Sequence, residues 1–272
     1  MTSFLAWLGA DSRGPTSLYF ASDSRLSWEN SPVRWDLGRK VFASPSSPEL
    51  FGFVGYVILP YMILTGAIEV IARAQRPENA SKTADDRAAW LKARISAASL
   101  RYPPTPDGDF AIFYGTRQGC GMPGRSAFAM YRIKGKAGSA KVSSEKLEIP
   151  FVSSVLRTEG TGKASVDEWQ LRWERSDQGN TSRTMFSAFC DALASGSDTK
   201  TGGEPQLVGL YREGHARLFG VVTKNGYSVS GDLNPEIAEG SVAEWRDSLF
   251  QRVDRNGRVL KRAQRQVRPR NV

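Results

Sequence analysis

Residues 51–72 read FGFVGYVILPYMILTGAIEVIA, and the parsing of this run decides the fold. The run is almost wholly apolar and long enough to span a bilayer, with Arg39 and Lys40 before it and Arg73 and Arg76 after it. Against a membrane span stand Gly52, Gly55, Pro60 and Gly66, with Glu69 in its last third. A strand over residues 50–54, a turn around Gly55 and a buried helix over residues 61–72 account for all five. Pro60 then falls at the first helical turn, where its missing N–H does no harm. The run is therefore expected inside a globular core, with no membrane partner.

Working outward, residues 2–8 and 18–22 are apolar, β-prone runs joined by a Gly9…Gly14-Pro15 turn region, a hairpin pattern. Residues 41–43 and 50–54 continue the sheet. A second helix is expected near residues 85–101, after a polar linker containing Pro77 and Asn79. Residues 110–115 and 127–133 form another strand pair. Helix returns at about residues 166–174 and again from Arg183, where Met185, Phe186, Phe189 and Leu193 recur at helical spacing. Residues 206–211, 216–223 and 227–230 read as strands, with an Asn225-Gly226 turn. A last helix is expected to carry Val242, Trp245, Leu249 and Val253 on one face. This alternation predicts an α+β fold, a four-layer αββα sandwich of two stacked antiparallel sheets between helical layers. One domain over residues 1–255 and a basic, flexible tail over residues 256–272 are expected.

Composition narrows the chemistry. The 272 residues carry 40% hydrophobic and 24% charged side chains, the balance of a globular protein. Cys120 and Cys190 lie far apart without metal-ligand spacing, so neither a disulfide scaffold nor a zinc site is expected, and a reducing, cytoplasmic setting fits. The start lacks a basic region ahead of its apolar run, which argues against a signal peptide. His215 is the single histidine and reads as a hairpin-turn residue, so a nucleophile must find its base in an amine or a carboxylate. The net charge of +9 is concentrated in the tail, where Arg258, Lys261, Arg262, Arg265, Arg268 and Arg270 occur without an acid. No aromatic is interleaved with them, which argues against nucleic acid. A solvated segment or a docking segment for an acidic partner fits better. No cofactor is expected.

Thr2 becomes the first residue once Met1 is trimmed, which its small side chain permits. It would then carry a hydroxyl and a free α-amine, and such an amine can act as base for its own hydroxyl. Read with Phe20-Ala21-Ser22-Asp23-Ser24-Arg25, Gly38-Arg39-Lys40-Val41-Phe42, Gly52-Phe53-Val54-Gly55 and Asp198-Thr199-Lys200-Thr201-Gly202-Gly203, the chain resembles a proteasome β-type subunit. The resemblance includes the simpler bacterial proteasome-like peptidases of the N-terminal-nucleophile class and covers roughly residues 2–250. The blocks match, in order, that family's terminal threonine, D-x-R strand end, lysine before a hydrophobic pair, glycine-bearing strand end and D-S-x-S-G-G loop.

The resemblance implies a threonine endopeptidase with Thr2, Asp23, Lys40, Gly52, Asp198 and Thr201 as site residues. It also implies a polypeptide substrate, a homo-oligomeric ring or stack, and an unfoldase as possible partner. Lys40 would stay charged beside the α-amine and lower its pKa, Asp23 would orient Lys40, and the Gly52 N–H would face the oxyanion. Two departures stand out. Lys163 in Gly160-Thr161-Gly162-Lys163 replaces the last serine of a G-S-G-S motif that orders the amine, and is expected as a solvated helix-start residue. Tyr56 follows Gly55 where a small or acidic residue is usual. Two other functions stay open on sequence: an inactive structural or regulatory subunit of this fold, and a small-molecule amide hydrolase of the same chemistry.

Overall fold

A computed structural model describes residues 2–28, 31–121, 124–179, 181–238 and 240–270. The chain opens with β1 (Phe4–Asp11), β2 (Gly14–Ser22), the short pair β3 (Leu26–Ser27) and β4 (Arg34–Trp35), β5 (Val41–Ala43) and β6 (Glu49–Gly55). Two helices follow, α1 (Ile58–Ala72) and α2 (Ala84–Arg101). Then come β7 (Asp109–Gly119), β8 (Ser126–Lys136), β9 (Ser143–Leu147) and β10 (Ser154–Glu159), and the helices α3 (Lys163–Glu174) and α4 (Ser182–Ser195). The last elements are β11 (Gln206–Tyr211), β12 (Arg217–Thr223), β13 (Gly226–Val229), β14 (Asp232–Leu233), β15 (Glu244–Asp247) and β16 (Arg252–Val253).

Two sheets dominate this α+β architecture. One is antiparallel with order β5-β6-β7-β8-β9. The other runs β10-β1-β2-β11-β12-β13-β14, antiparallel throughout, with β15 added parallel to β12 and β16 antiparallel to β15. Side chains alternate faces along each strand, so each sheet presents two apolar faces. On β6, Phe51 and Phe53 join Leu59 and Leu64 of α1 and Leu91 and Ile95 of α2, while Leu50 and Val54 turn the other way. They meet Phe4, Leu8, Leu18, Phe20 and Val208 of the second sheet, and Phe4 stacks on Phe113 at 4.1 Å between centroids. On that sheet's other face, Leu5, Trp7 and Tyr19 pack with Val166 of α3 and Phe186 and Phe189 of α4. Each such buried side chain contributes about 1.5–3 kcal/mol.

The run at residues 51–72 is strand, turn and helix, and no helix among the described residues is long and apolar enough to cross a membrane. Pro60 is the third residue of α1, among the N–H groups that have no intrahelical acceptor. Thr83 and Asp86 close a capping box on α2, and Gly196 ends α4 in the left-handed region at φ 63°.

Two expectations require correction. Residues 242–253 form no helix: Trp245 lies in β15 and Val253 in β16. The Asp247 carboxylate accepts the backbone N–H groups of Leu249 and Gln251 at 3.0 and 2.8 Å, which closes a turn in mid-segment. Two strands that the sequence pattern did not mark, β9 and β10, lie between β8 and α3, and β10 pairs with β1 along Phe4–Leu8. Within residues 256–270, most of which are exposed, Arg265, Gln266 and Arg268 dock on α4 and Leu260 bonds back to Arg252. Gln266 is buried with its amide on Ser187 Oγ, and Arg268 pairs with the buried Asp191 at 2.7 Å.

Candidate active site

Strand pairing brings the chain start and Asp23 to one end of the second sheet. Phe4 pairs with Ser22, and beyond that pair the Asp23 N–H donates to the Ser3 carbonyl at 3.2 Å. In return the Ser3 N–H donates to Asp23 Oδ1 at 2.9 Å, and Ser22 Oγ donates to the Ser3 carbonyl at 3.0 Å. Lys40 immediately precedes β5 of the facing sheet and reaches across to the same carboxylate. Its Nζ lies 2.7 Å from Asp23 Oδ1 and 2.6 Å from the Arg25 carbonyl, and both side chains are 0% exposed. Burial pushes the Lys40 ammonium below its ordinary pKa, against the charge and hydrogen bond of Asp23, which pull it up. Asp23 Oδ2 accepts the Gly202 N–H at 3.1 Å, so both oxygens are satisfied.

A buried glutamine fixes this geometry. Gln206, the first residue of β11, accepts the Lys40 backbone N–H at Oε1 (3.0 Å). Its Nε2 donates to the carbonyls of Asp23 (3.2 Å) and Gly38 (2.6 Å). Nothing in the motif pattern pointed to Gln206; a polar side chain opening an apolar strand after Gly202-Gly203 is the signal that marks it. Arg25 adds a second brace, with two 2.8 Å bonds to Asp36 and 3.3 Å bonds to the carbonyls of Thr199 and Thr201.

Thr2 is held from the other side by the segment between β10 and α3. The Gly162 N–H donates to the Thr2 carbonyl at 3.3 Å, and the Thr2 N–H donates to Thr161 Oγ1 at 3.3 Å. Gly160 sits at φ 101°, and a Cβ there would lie 1.9 Å from the Thr2 oxygen. A Cβ on Gly162 would lie 1.9 Å from Ser3 Oγ and 3.1 Å from Thr201 Oγ1. Only glycine permits this approach. Thr201 is thus next to the chain start, and Asp198 is its loop partner, accepting the Thr201 N–H at its carbonyl (3.3 Å). Asp198 Oδ2 is buried and has no hydrogen-bond partner among the described residues.

Thr2, Asp23, Lys40 and Thr201 therefore lie together, with Asp198 joined to them only through its carbonyl to Thr201, whereas Gly52 does not serve as expected. The Phe53 N–H donates to the Lys40 carbonyl, and the Tyr56 N–H to the Asp109 carbonyl on β7. Backbone N–H groups alternate sides along an antiparallel strand, so Gly52 directs its N–H to β7, opposite Phe113. Its α-carbon packs against Phe4, 2.7 Å from where a Cβ would sit. The same alternation turns the Gly55 N–H to the Lys40 side, beyond the start of β5 at Val41. Gly55 has φ 88°, which favours glycine, and a Cβ there would meet the Asp109 oxygen at 2.4 Å. By this parity Gly55, not Gly52, carries its amide on the Lys40 side of β6.

The departures resolve locally. Lys163 starts α3, half-exposed, and bonds the Asp167 carboxylate and Thr158 Oγ1 rather than Thr2. Thr161, which sequence reasoning did not assign, supplies the hydroxyl at the Thr2 nitrogen. Tyr56 packs its hydroxyl 2.9 Å from that of Tyr102. His215 is exposed in the turn between β11 and β12. The expected trimming of Met1 concerns a residue outside the described ones. Compared with known families and with curated proteins, the chain matches no family model and no curated protein.

Proposed function

We propose that this chain is a threonine-type N-terminal-nucleophile hydrolase of the proteasome β kind, acting on peptide amides. The observation that carries this reading is the wholly buried Lys40–Asp23 pair, tied through Asp23 Oδ1 to the backbone of Ser3. A buried charge pair is costly to build, and one fixed to the residue after the nucleophile suits a catalytic task. In this reading the layers described above form the four-layer αββα sandwich of that class.

The mechanism begins with Thr2 as the mature first residue. Its neutral α-amine, positioned by Thr161, takes the proton from Thr2 Oγ1 as the oxygen attacks the amide carbon. The Gly55 N–H stabilises the developing oxyanion, a contribution of about 10²–10³ in rate for one such donor. The protonated amine then gives its proton to the leaving amine, which departs and leaves an ester on Thr2. Water, deprotonated by the same amine, attacks the ester and releases the acid. Lys40, charged beside the site and held by Asp23, keeps the α-amine in its neutral form. Lys163 is turned to Asp167 rather than toward the amine, which favours an active enzyme over an inactive subunit.

The proposal extends to a cytoplasmic homo-oligomeric ring or stack that takes polypeptide substrates, with an unfoldase as possible partner. Exposed Ile58, Tyr61, Met62 and Leu100 on α1 and α2 support an apolar contact between copies. Hydrolysis of N-terminally blocked fluorogenic peptides tests the reading. Thr2→Ser should retain turnover and Thr2→Ala should abolish it; wild-type turnover by Thr2→Ala refutes Thr2 as nucleophile.

A further inference from the structure

At the far end of β1, about 30 Å from Thr2 at 3.3 Å per residue, lies a cavity of 570 Å³. Its lining holds four arginines, Arg183, Arg246, Arg252 and Arg262, against one acid, Asp11. Asp11 is already engaged by Arg212 at 2.9 and 3.0 Å and by Arg13 at 3.1 Å, so it does not neutralise the arginines inside. Arg246 is anchored by Glu244 (2.7 Å), the Tyr211 hydroxyl (3.2 Å) and the Phe250 carbonyl (3.2 Å), yet its Nε is buried without a hydrogen-bond partner among the described residues. A buried donor left unmatched in a cationic cavity is a place where an acceptor from outside would be stabilised.

A second donor set converges there. The N-terminus of the fourteen-residue helix α4 opens on the cavity at Thr181, Ser182 and Arg183, and its N-cap residue makes no side-chain capping bond. The helix dipole favours negative charge at that end. Arg262, held in the left-handed region at φ 65°, and the half-exposed Arg252, which pairs with Glu244 at 3.2 Å, line the cavity. Tyr19, Tyr211 and Phe250 give it an aromatic wall.

We propose that this cavity binds a phosphoryl-bearing small molecule. Guanidinium forks and helix amides both match tetrahedral phosphate oxygens. The volume lies within the roughly 300–1,000 Å³ of small-molecule sites, leaving room for an organic group beside the phosphate. This site does not depend on the hydrolase reading.

Calorimetric titration of the full chain with inorganic phosphate, phenyl phosphate and benzoate at fixed ionic strength tests it. Both phosphates should bind saturably in the millimolar range or below, phenyl phosphate more tightly and benzoate least. Arg262→Gln should weaken phosphate about tenfold, the scale of one charge-assisted hydrogen bond. Ser182→Glu should abolish binding while preserving the thermal midpoint, because a carboxylate in the first turn suits the helix dipole and fills the site itself. This variant decides the matter if Arg262→Gln folds poorly. Absence of saturable phosphate binding, or affinity unchanged in both variants, overturns the site. Benzoate binding as tightly as phenyl phosphate overturns the phosphoryl assignment. Inorganic phosphate binding more tightly than phenyl phosphate overturns the organic ligand.

Discussion

Lys40 Nζ lies 2.7 Å from Asp23 Oδ1 with both side chains fully buried, and that same carboxylate oxygen receives the Ser3 N–H at 2.9 Å. Asp23 is thus shared between a charge from one sheet and the first backbone amide after Thr2. Asp23→Ala removes the carboxylate that opposes the burial cost of Lys40 and should destabilise by about 3–5 kcal/mol. Lys40→Met keeps the stem's volume and leaves Asp23 its two backbone donors, so it should cost less. Urea midpoints of the two variants check the order; equal losses contradict it.

The pH dependence of stability has a definite sign at Lys40. Burial lowers its pKa in the native state, so between that value and the unfolded value of about 10.4 the unfolded chain binds more protons. Stability from this group therefore rises with pH across that window and is lost as pH falls through it. Wild-type stability measured relative to Lys40→Met should climb toward pH 10, and a flat or falling difference contradicts the burial effect.

Activity should show a separate titration. The α-amine of Thr2 must be neutral to act, and charged Lys40 disfavours its protonated form. The rate constant kcat/KM should rise with pH through a midpoint below the ordinary amine value of about 7.7. In Lys40→Met the residual activity should titrate higher. A midpoint unmoved by that substitution removes Lys40 from the account.

Thr161→Val deletes the hydroxyl 3.3 Å from the Thr2 nitrogen without changing side-chain shape. A loss of about fivefold in kcat is expected, the scale of a neutral hydrogen bond of about 1 kcal/mol, with the thermal midpoint within a few degrees of wild type. Unchanged kcat and pH profile would show that Thr161 plays no part in positioning the amine.

Arg268 pairs with Asp191, which also accepts the Trp173 indole N–H at 2.9 Å. A chain ending at Arg255 leaves that buried carboxylate short of a cation and exposes the α4 surface that Gln266 covers. A loss of about 1.5–3 kcal/mol is expected, several degrees of thermal midpoint. An unchanged midpoint would return residues 256–270 to the solvated tail that their charge suggests.

Much of this was legible in the chain because local chemistry and global fold agree at residues 51–72. There the glycines, Pro60 and the apolar pattern admit one parsing into β6, turn and α1. The Asp23–Lys40 pairing was legible through the resemblance, since both residues sit beside strand ends. The choice between Gly52 and Gly55 was not, because it depends on which neighbour each amide faces. That parity is set by the registers of β5 and β7, which no motif encodes. β10 escaped notice because its residues are mostly half-exposed, so it shows no apolar alternation. Its pairing with β1 nonetheless carries Gly160, Thr161 and Gly162 to Thr2. At residues 242–253 a near-helical spacing of apolar side chains concealed a turn closed by Asp247.

Intact mass and peptide mapping after exposure to a threonine-directed electrophile test the central claim most directly. The account predicts one adduct per active chain, on a chain that begins at Thr2, with the label in the first peptide and none in Thr2→Ala. A label on another residue, or peptide-hydrolysing protein that keeps Met1 throughout, contradicts it.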